Sequence, residues 1–242
     1  MKFNRNQSYV QVSSANEYNE GLRKFMLGIY NYMGIGLVLT GVCAMLASSS
    51  EAFMRLMFTP QGLSGFGWLI ALAPLGFAIF LSAGIQRVQV KTAQVLFYAY
   101  AAIMGLSLSS LFLVYTGESI AKTFFITAAV FGSMSIYGYT TKKDLTSMGS
   151  FLMMGVIGIL IASVINIFLG SSGLSFIVSL LSVAIFTGLV AFDTQKLKQI
   201  YFAVGNDTEA AAKVSIIGAL SLYMDFINIF VNLLRFFGDR RD

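Results

Sequence analysis

Seven apolar stretches alternate with short polar links along this 242-residue chain. A hydrocarbon core of about 30 Å is crossed by about 20 helical residues, and each stretch reaches or approaches that length. The pattern predicts spans at about Phe25 to Ala47, Phe66 to Gln86, Thr92 to Tyr115, Ser119 to Tyr139, Met148 to Leu169, Leu174 to Tyr201 and Lys213 to Gly238. Pro74 inside the second predicts a kink. Small residues recur at four-residue spacing as Ala101/Gly105/Ser109, Ala128/Gly132 and Gly158/Ala162. Such stripes let helices approach closely, as generic bundle packing requires.

The last span differs from the others. Ser221, Asp225, Asn228, Asn232 and Arg235 follow one another at steps of four, three, four and three, which places all five on one face of a helix. Leu222, Phe226, Ile229, Phe230 and Leu233 occupy the other faces. A polar stripe of this length is costly against lipid. The helix is therefore expected near the centre of the bundle, with the stripe facing a polar or water-filled interior. The expected fold is an all-α integral membrane protein, a seven-transmembrane helix bundle with the C-terminal helix near the centre. It divides into a polar cytoplasmic N-terminal tail (1–24), a seven-helix transmembrane domain (25–238) and a charged C-terminal end (239–242).

Composition agrees. The chain is 57% hydrophobic and 11% charged, where soluble domains are about 45–50% apolar and about 25% charged. The net charge of +5 is spread over loops and tails and forms no nucleic-acid-binding face. With the N-terminus inside, Lys2, Arg5, Arg23, Lys24, Arg87, Lys91, Lys142, Lys143, Lys196, Lys198 and Lys213 fall on the inner side, eleven of the 16 basic residues. This bias supports an inside N-terminus. A full crossing of the last span puts Arg235, Arg240 and Arg241 outside, against the rule. A re-entrant segment would return them inside. The length of the span favours the crossing. The polar start of the chain carries no cleavable signal peptide pattern.

Cys43 is the single cysteine and there is no histidine. A disulfide within the chain, a thiolate metal cluster and a histidine pH switch are excluded. Nine of the 11 acids fall in tails, loops or span ends, which leaves Asp193 and Asp225 inside apolar segments. A carboxylate at bilayer depth costs about 2.5–3.5 kcal/mol on insertion scales and usually has a function. Asp193 lies eight residues before Tyr201, and Asp225 twelve after Lys213. In antiparallel helices that four-residue difference is about 6 Å of axial rise, within reach of a meeting of the two side chains. Such a pair would titrate as a unit, sharing a proton at moderately acid pH and losing it toward neutrality. The alternative is that each aspartate makes only a structural hydrogen bond, or, for Asp193, a contact with Lys196 or Lys198.

Two stretches centred on these residues, Ala191-Phe192-Asp193-Thr194-Gln195-Lys196-Leu197-Lys198 and Ser221-Leu222-Tyr223-Met224-Asp225-Phe226-Ile227-Asn228, resemble the signature stretches of the Bax inhibitor (transmembrane BAX-inhibitor-motif) family. Gly138-Tyr139-Thr140-Thr141-Lys142-Lys143-Asp144-Leu145 and Asn232-Leu233-Leu234-Arg235 support it, and the chain looks like a bacterial member. The resemblance implies a seven-helix bundle and a pH-sensitive calcium leak with the paired aspartates as sensor. It also implies a latch on the sixth-span aspartate by an arginine at the inner end of the second span. Arg87 holds that place, followed by Val88 and Gln89 where some relatives carry further arginines. The other reading of Arg87 is an interface anchor.

The functional expectation is a passive calcium or cation leak in the bacterial inner membrane. Asp193 and Asp225 form the sensor and possible calcium contact, with Ser221, Asn228 and Asn232 along the pathway. Calcium takes oxygen ligands of these types. It enters as the conducted ion, and no cofactor is expected. The alternative is a non-conducting regulator of a membrane protease, stress or cell-death pathway, acting through a protein partner engaged by the N-terminal tail. No enzyme is expected. Two membrane aspartates suit an intramembrane protease, but neither lies in a Gly-Xaa-Gly-Asp motif, and there is no phosphate-binding loop or serine elbow.

Overall fold

The computed structural model describes residues 5–84, 88–204 and 208–241. Among the described residues the regular elements are helices and one small hairpin. The helices are α1 (Arg5–Ser49), α2 (Glu51–Met57), α3 (Gly65–Gly84), α4 (Val90–Leu108), α5 (Leu111–Val114), α6 (Gly117–Thr140), α7 (Thr146–Leu169), α8 (Ser172–Val204) and α9 (Thr208–Phe237). Strands β1 (Phe58–Thr59) and β2 (Gly62–Leu63) pair antiparallel between α2 and α3. Six helices are long and apolar enough to cross a bilayer, and the apolar part of α3, Gly65–Leu81, is shorter.

Local chemistry sets the helix ends. Ser50 and Thr116 accept the Phe53 and Ser119 N–H groups with their hydroxyls and so cap α2 and α6. Gly170, at φ 60°, ends α7 in the left-handed region, its N–H donating to the Asn166 carbonyl. Three boundaries depart from the sequence expectation. Helix α1 reaches back through most of the segment read as a tail, and its Leu22, Phe25, Met26, Ile29 and Met33 form a buried stripe. The third span breaks after Leu108 and resumes as the single turn α5. The loop after the first span folds into α2 and the hairpin, whose turn uses Gly62 at φ 126°.

Helix α9 packs against α8, α1, α6 and α4. Two-thirds of its most apolar stretch is buried, against none of that of α7. Tyr223 anchors it to α4, with ring centroids 5.6 Å from Tyr100 and 6.0 Å from Phe97. The Tyr223 hydroxyl lies 2.5 Å from Thr40 Oγ1 of α1, which is itself 2.9 Å from the Ala101 carbonyl. On the α6 side Phe226 meets Phe124 and Phe131 at 5.3 and 5.7 Å. The end of the chain is tied down by backbone pairing. Thr116 N–H donates to the Asp239 carbonyl (3.0 Å) and Arg241 N–H to the Val114 carbonyl (2.9 Å). Asp239 N–H donates to Ser119 Oγ (2.9 Å).

Of the three small-residue stripes, one sits at a close helix crossing. A Cβ on Gly105 would lie 2.5 Å from the Thr40 carbonyl oxygen, so α4 and α1 meet backbone to backbone. Gly132 and Gly158 have nothing within 4 Å of that position. The tightest contact of α6 is instead at Gly138, where a Cβ would stand 2.2 Å from the Ala191 carbonyl oxygen of α8.

Candidate functional site

Asp193 stands on α8 two residues beyond that crossing. Gln195 locks the same stretch to the α6–α7 link: its Oε1 accepts the Leu145 N–H (2.9 Å) and its Nε2 donates to the Lys143 carbonyl (2.7 Å). Lys198 donates to the Tyr139 carbonyl (3.1 Å) and lies 5.3 Å from the Tyr139 ring centroid. The 138–145 and 191–198 stretches thus form one clamp that fixes Asp193 on a rigid backbone.

Ser221 of α9 donates its hydroxyl hydrogen bond to Asp193 Oδ2. This contact sets the register of the two antiparallel helices and places Asp225 one turn further along α9. Asp225 is buried (5% exposed), and its Oδ2 has no hydrogen-bond partner among the described residues. Asp193 lies within electrostatic reach of Asp225 on one side and of Lys196 on the other. Ser221 is therefore the hydrogen-bond partner that Asp193 finds on α9. A buried carboxylate oxygen without a donor is expensive.

The rest of the stripe divides. Asn228 Nδ2 donates to the Met224 carbonyl and Asn232 Nδ2 to the Asn228 carbonyl, both at 2.8 Å. Both side chains thus fold back on their own helix, and Asn232 is buried. Arg235 is exposed at the far end. Arg87 lies outside the described residues. Among the described residues no group of three or more acidic, histidine or cysteine side chains could hold a metal ion.

Sequence reasoning missed a hydrogen-bonded chain beside the pair. The Tyr30 hydroxyl of α1 contacts Ser135 Oγ of α6, which lies 3.1 Å from Thr194 Oγ1, the residue after Asp193. Tyr30 and Ser135 also line a mostly apolar groove of about 520 Å³ between α1 and α6. The available signal was the polar residue at 135 within an apolar span, but its partners lie 105 and 59 residues away.

Comparison with known proteins bears on the same segments. Residues 22–242 match the family described as "Inhibitor of apoptosis-promoting Bax1". An uncharacterized protein of Rickettsia prowazekii (strain Madrid E) is 53% identical over 231 residues, 96% of each chain. Inner membrane protein YbhL of Escherichia coli (strain K12) is 46% identical over 243 residues, 99% of each chain. An uncharacterized membrane protein of Streptococcus pyogenes serotype M3 is 36% identical over 220 residues, 90% of this chain and 93% of the relative. A match that spans both aspartate stretches, the 138–145 stretch clamped to the first of them and nearly the whole helical body makes this chain a member of the Bax inhibitor family of membrane proteins.

Proposed function

We propose that this protein is a passive cation leak, with calcium as the conducted ion, gated by protonation of the Asp193–Asp225 pair. The observation that carries the reading is the buried, unpartnered Asp225 Oδ2 one turn from the Asp193–Ser221 contact. With a proton shared between the two carboxyls, α8 and α9 stay packed and the path is closed. With both ionised, repulsion loosens the α8–α9 contact and the freed oxygens attract a cation. Asn228 and Asn232 continue the path with their amide oxygens. In this reading α3 is the seventh crossing, α9 the central helix, and the membrane the bacterial inner membrane, as the printed name of the Escherichia coli relative says of that protein. The N-terminus is cytoplasmic, and the protein needs no cofactor and catalyses no reaction.

The test is calcium flux into liposomes containing the purified protein at pH 6 and pH 8. Flux should rise with pH, and Asp225→Asn should abolish that dependence. A variant that keeps the full pH response defeats the sensor. Absence of flux at both pH values would instead favour a non-conducting regulator. The polar N-terminal segment, residues 1–24, would then be what a protein partner engages.

A further inference from the structure

In the proposed orientation the basic end of α9 runs against the charge bias of the chain, and the gating mechanism makes no use of it. Arg235 and Arg240 line a cleft of about 700 Å³ formed with the end of α7 and the start of α8. Ser163, Asn166, Ser172, Ser175 and Ser179 supply the polar part of the facing wall. Among the described residues no acidic side chain lines the cleft and neither arginine makes an ion pair. Two guanidinium groups held near each other without a counter-charge repel, and such an arrangement is stabilised by an anion between them.

Both arginines are carried by fixed backbone. Arg235 sits in the last turns of α9. Arg240 is paired with Tyr115 in an antiparallel bridge, flanked by the Thr116–Asp239 and Val114–Arg241 hydrogen bonds. The opposite wall is also ordered. Asn166 Oδ1 accepts the Ser171 N–H (3.1 Å), and Asn166 Nδ2 donates to Ser175 Oγ (2.6 Å). Ser175 is thereby an acceptor toward Asn166 and keeps its own proton for another partner. The N-terminal end of α8 adds the positive end of its dipole. Among the described residues every charged group lining the cleft is a cation, and serine hydroxyls line it with them.

We propose that this cleft binds a phosphate-bearing anion. The guanidinium fork matches phosphate oxygens in pairs, and the volume exceeds what a bare ion needs, so a phosphate ester with a small polar substituent fits. Ile167, Phe176 and Phe236 complete the lining, and Ile167 and Phe176 are exposed, so the cleft opens toward the apolar surface of the bundle. The same chemistry is offered by an anionic lipid headgroup and by a soluble phosphate ester.

The experiment measures binding to purified full-length protein, by thermal shift and native mass spectrometry, with three probes: phosphatidylglycerol, glycerol 3-phosphate and inorganic phosphate. Phosphatidylcholine serves as the zwitterionic control. Saturable binding of phosphatidylglycerol alone identifies a lipid site; binding of glycerol 3-phosphate or phosphate identifies a soluble anion, and either supports the cleft. R235Q/R240Q should weaken that binding at least about tenfold, as expected for loss of charge-assisted hydrogen bonds. R241Q removes the same charge beside the cleft and should leave binding unchanged. R240Q alone, a change at an exposed tail side chain, should still weaken it if the double variant does not fold. The proposal is overturned if none of the probes binds, if R240Q and the double variant bind like the wild type, or if R241Q weakens binding as much as R240Q.

Discussion

Helices α7 and α9 are opposites in both sequence and placement. Of the six long apolar helices α7 has the highest hydropathy, yet none of its most apolar stretch is buried. Helix α9 carries an aspartate, two asparagines and a serine on one face and has the largest buried share. In a water-soluble protein the ranking would be reversed. Here the surroundings are hydrocarbon, so apolarity marks the outer wall and polarity marks the inside. Helices associate through close packing and polar contacts, because lipid already satisfies an apolar surface.

This contrast can be broken most sharply with paired substitutions. Phe226 is 2% exposed between Phe124 and Phe131, and Phe168 on α7 is 85% exposed. Phe226→Ala should cost about 3 kcal/mol or more, in the range for emptied aromatic sites. Phe168→Ala should stay within about 0.5 kcal/mol. Unfolding in micelles measures both, and equal losses would end the distinction between inner and outer helix. A smaller effect separates two glycines. Gly138→Ala places a methyl group against the Ala191 carbonyl and should cost about 1–3 kcal/mol through overpacking, whereas Gly158→Ala meets nothing within 4 Å and should be neutral or slightly stabilising. Thermal melts of the two variants decide it.

The smallest expected effect lies at the entrance to α7. Asp144 Oδ1 accepts the Thr146 hydroxyl (2.6 Å) and N–H (2.9 Å). These bonds, the hydroxyl's first, hold its carboxyl below the ordinary aspartate value. A lowered folded-state value means that the contribution to stability is complete above the unfolded pKa of about 3.9 and fades as pH falls through the folded value. The difference in melting temperature between wild type and Asp144→Ala should therefore be constant near neutrality and shrink only below about pH 4. A difference that shrinks already between pH 7 and pH 5 would assign the pH dependence to another group.

The polar face of α9 was legible because a three-and-four spacing has a geometric meaning whatever surrounds the helix. Asp193 and Asp225 stood out because carboxylates are rare in apolar spans. What joins them was not legible. Whether Asn228 and Asn232 reach across to a neighbour or turn back to the carbonyl four residues earlier leaves no trace in spacing, since both choices satisfy the amide. Gly138 and Gln195 find partners about 50 residues away, and no local pattern points to them. The small-residue stripes failed at Gly132 and Gly158 for a related reason: such a stripe reads the same whether it faces a helix or lipid. The backward extension of α1 was hidden by polar composition, although Leu22, Phe25, Met26, Ile29 and Met33 already carried helical spacing.

The pairing of residues 239–241 with the α5–α6 link gives α9 a fixed pivot at one end. Beyond that anchor the helix is a lever of 30 residues, about 45 Å at 1.5 Å per residue. Ser221 lies about 24 Å from Phe237 along this arm and Asp225 about 18 Å. A tilt of about 5° would carry Ser221 sideways by about 2 Å, by the same helical dimensions. Under the proposed gating, that displacement would separate Ser221 from Asp193 while the tail contacts hardly move, so the contact between the two motif stretches would open without the end of α9 leaving its place.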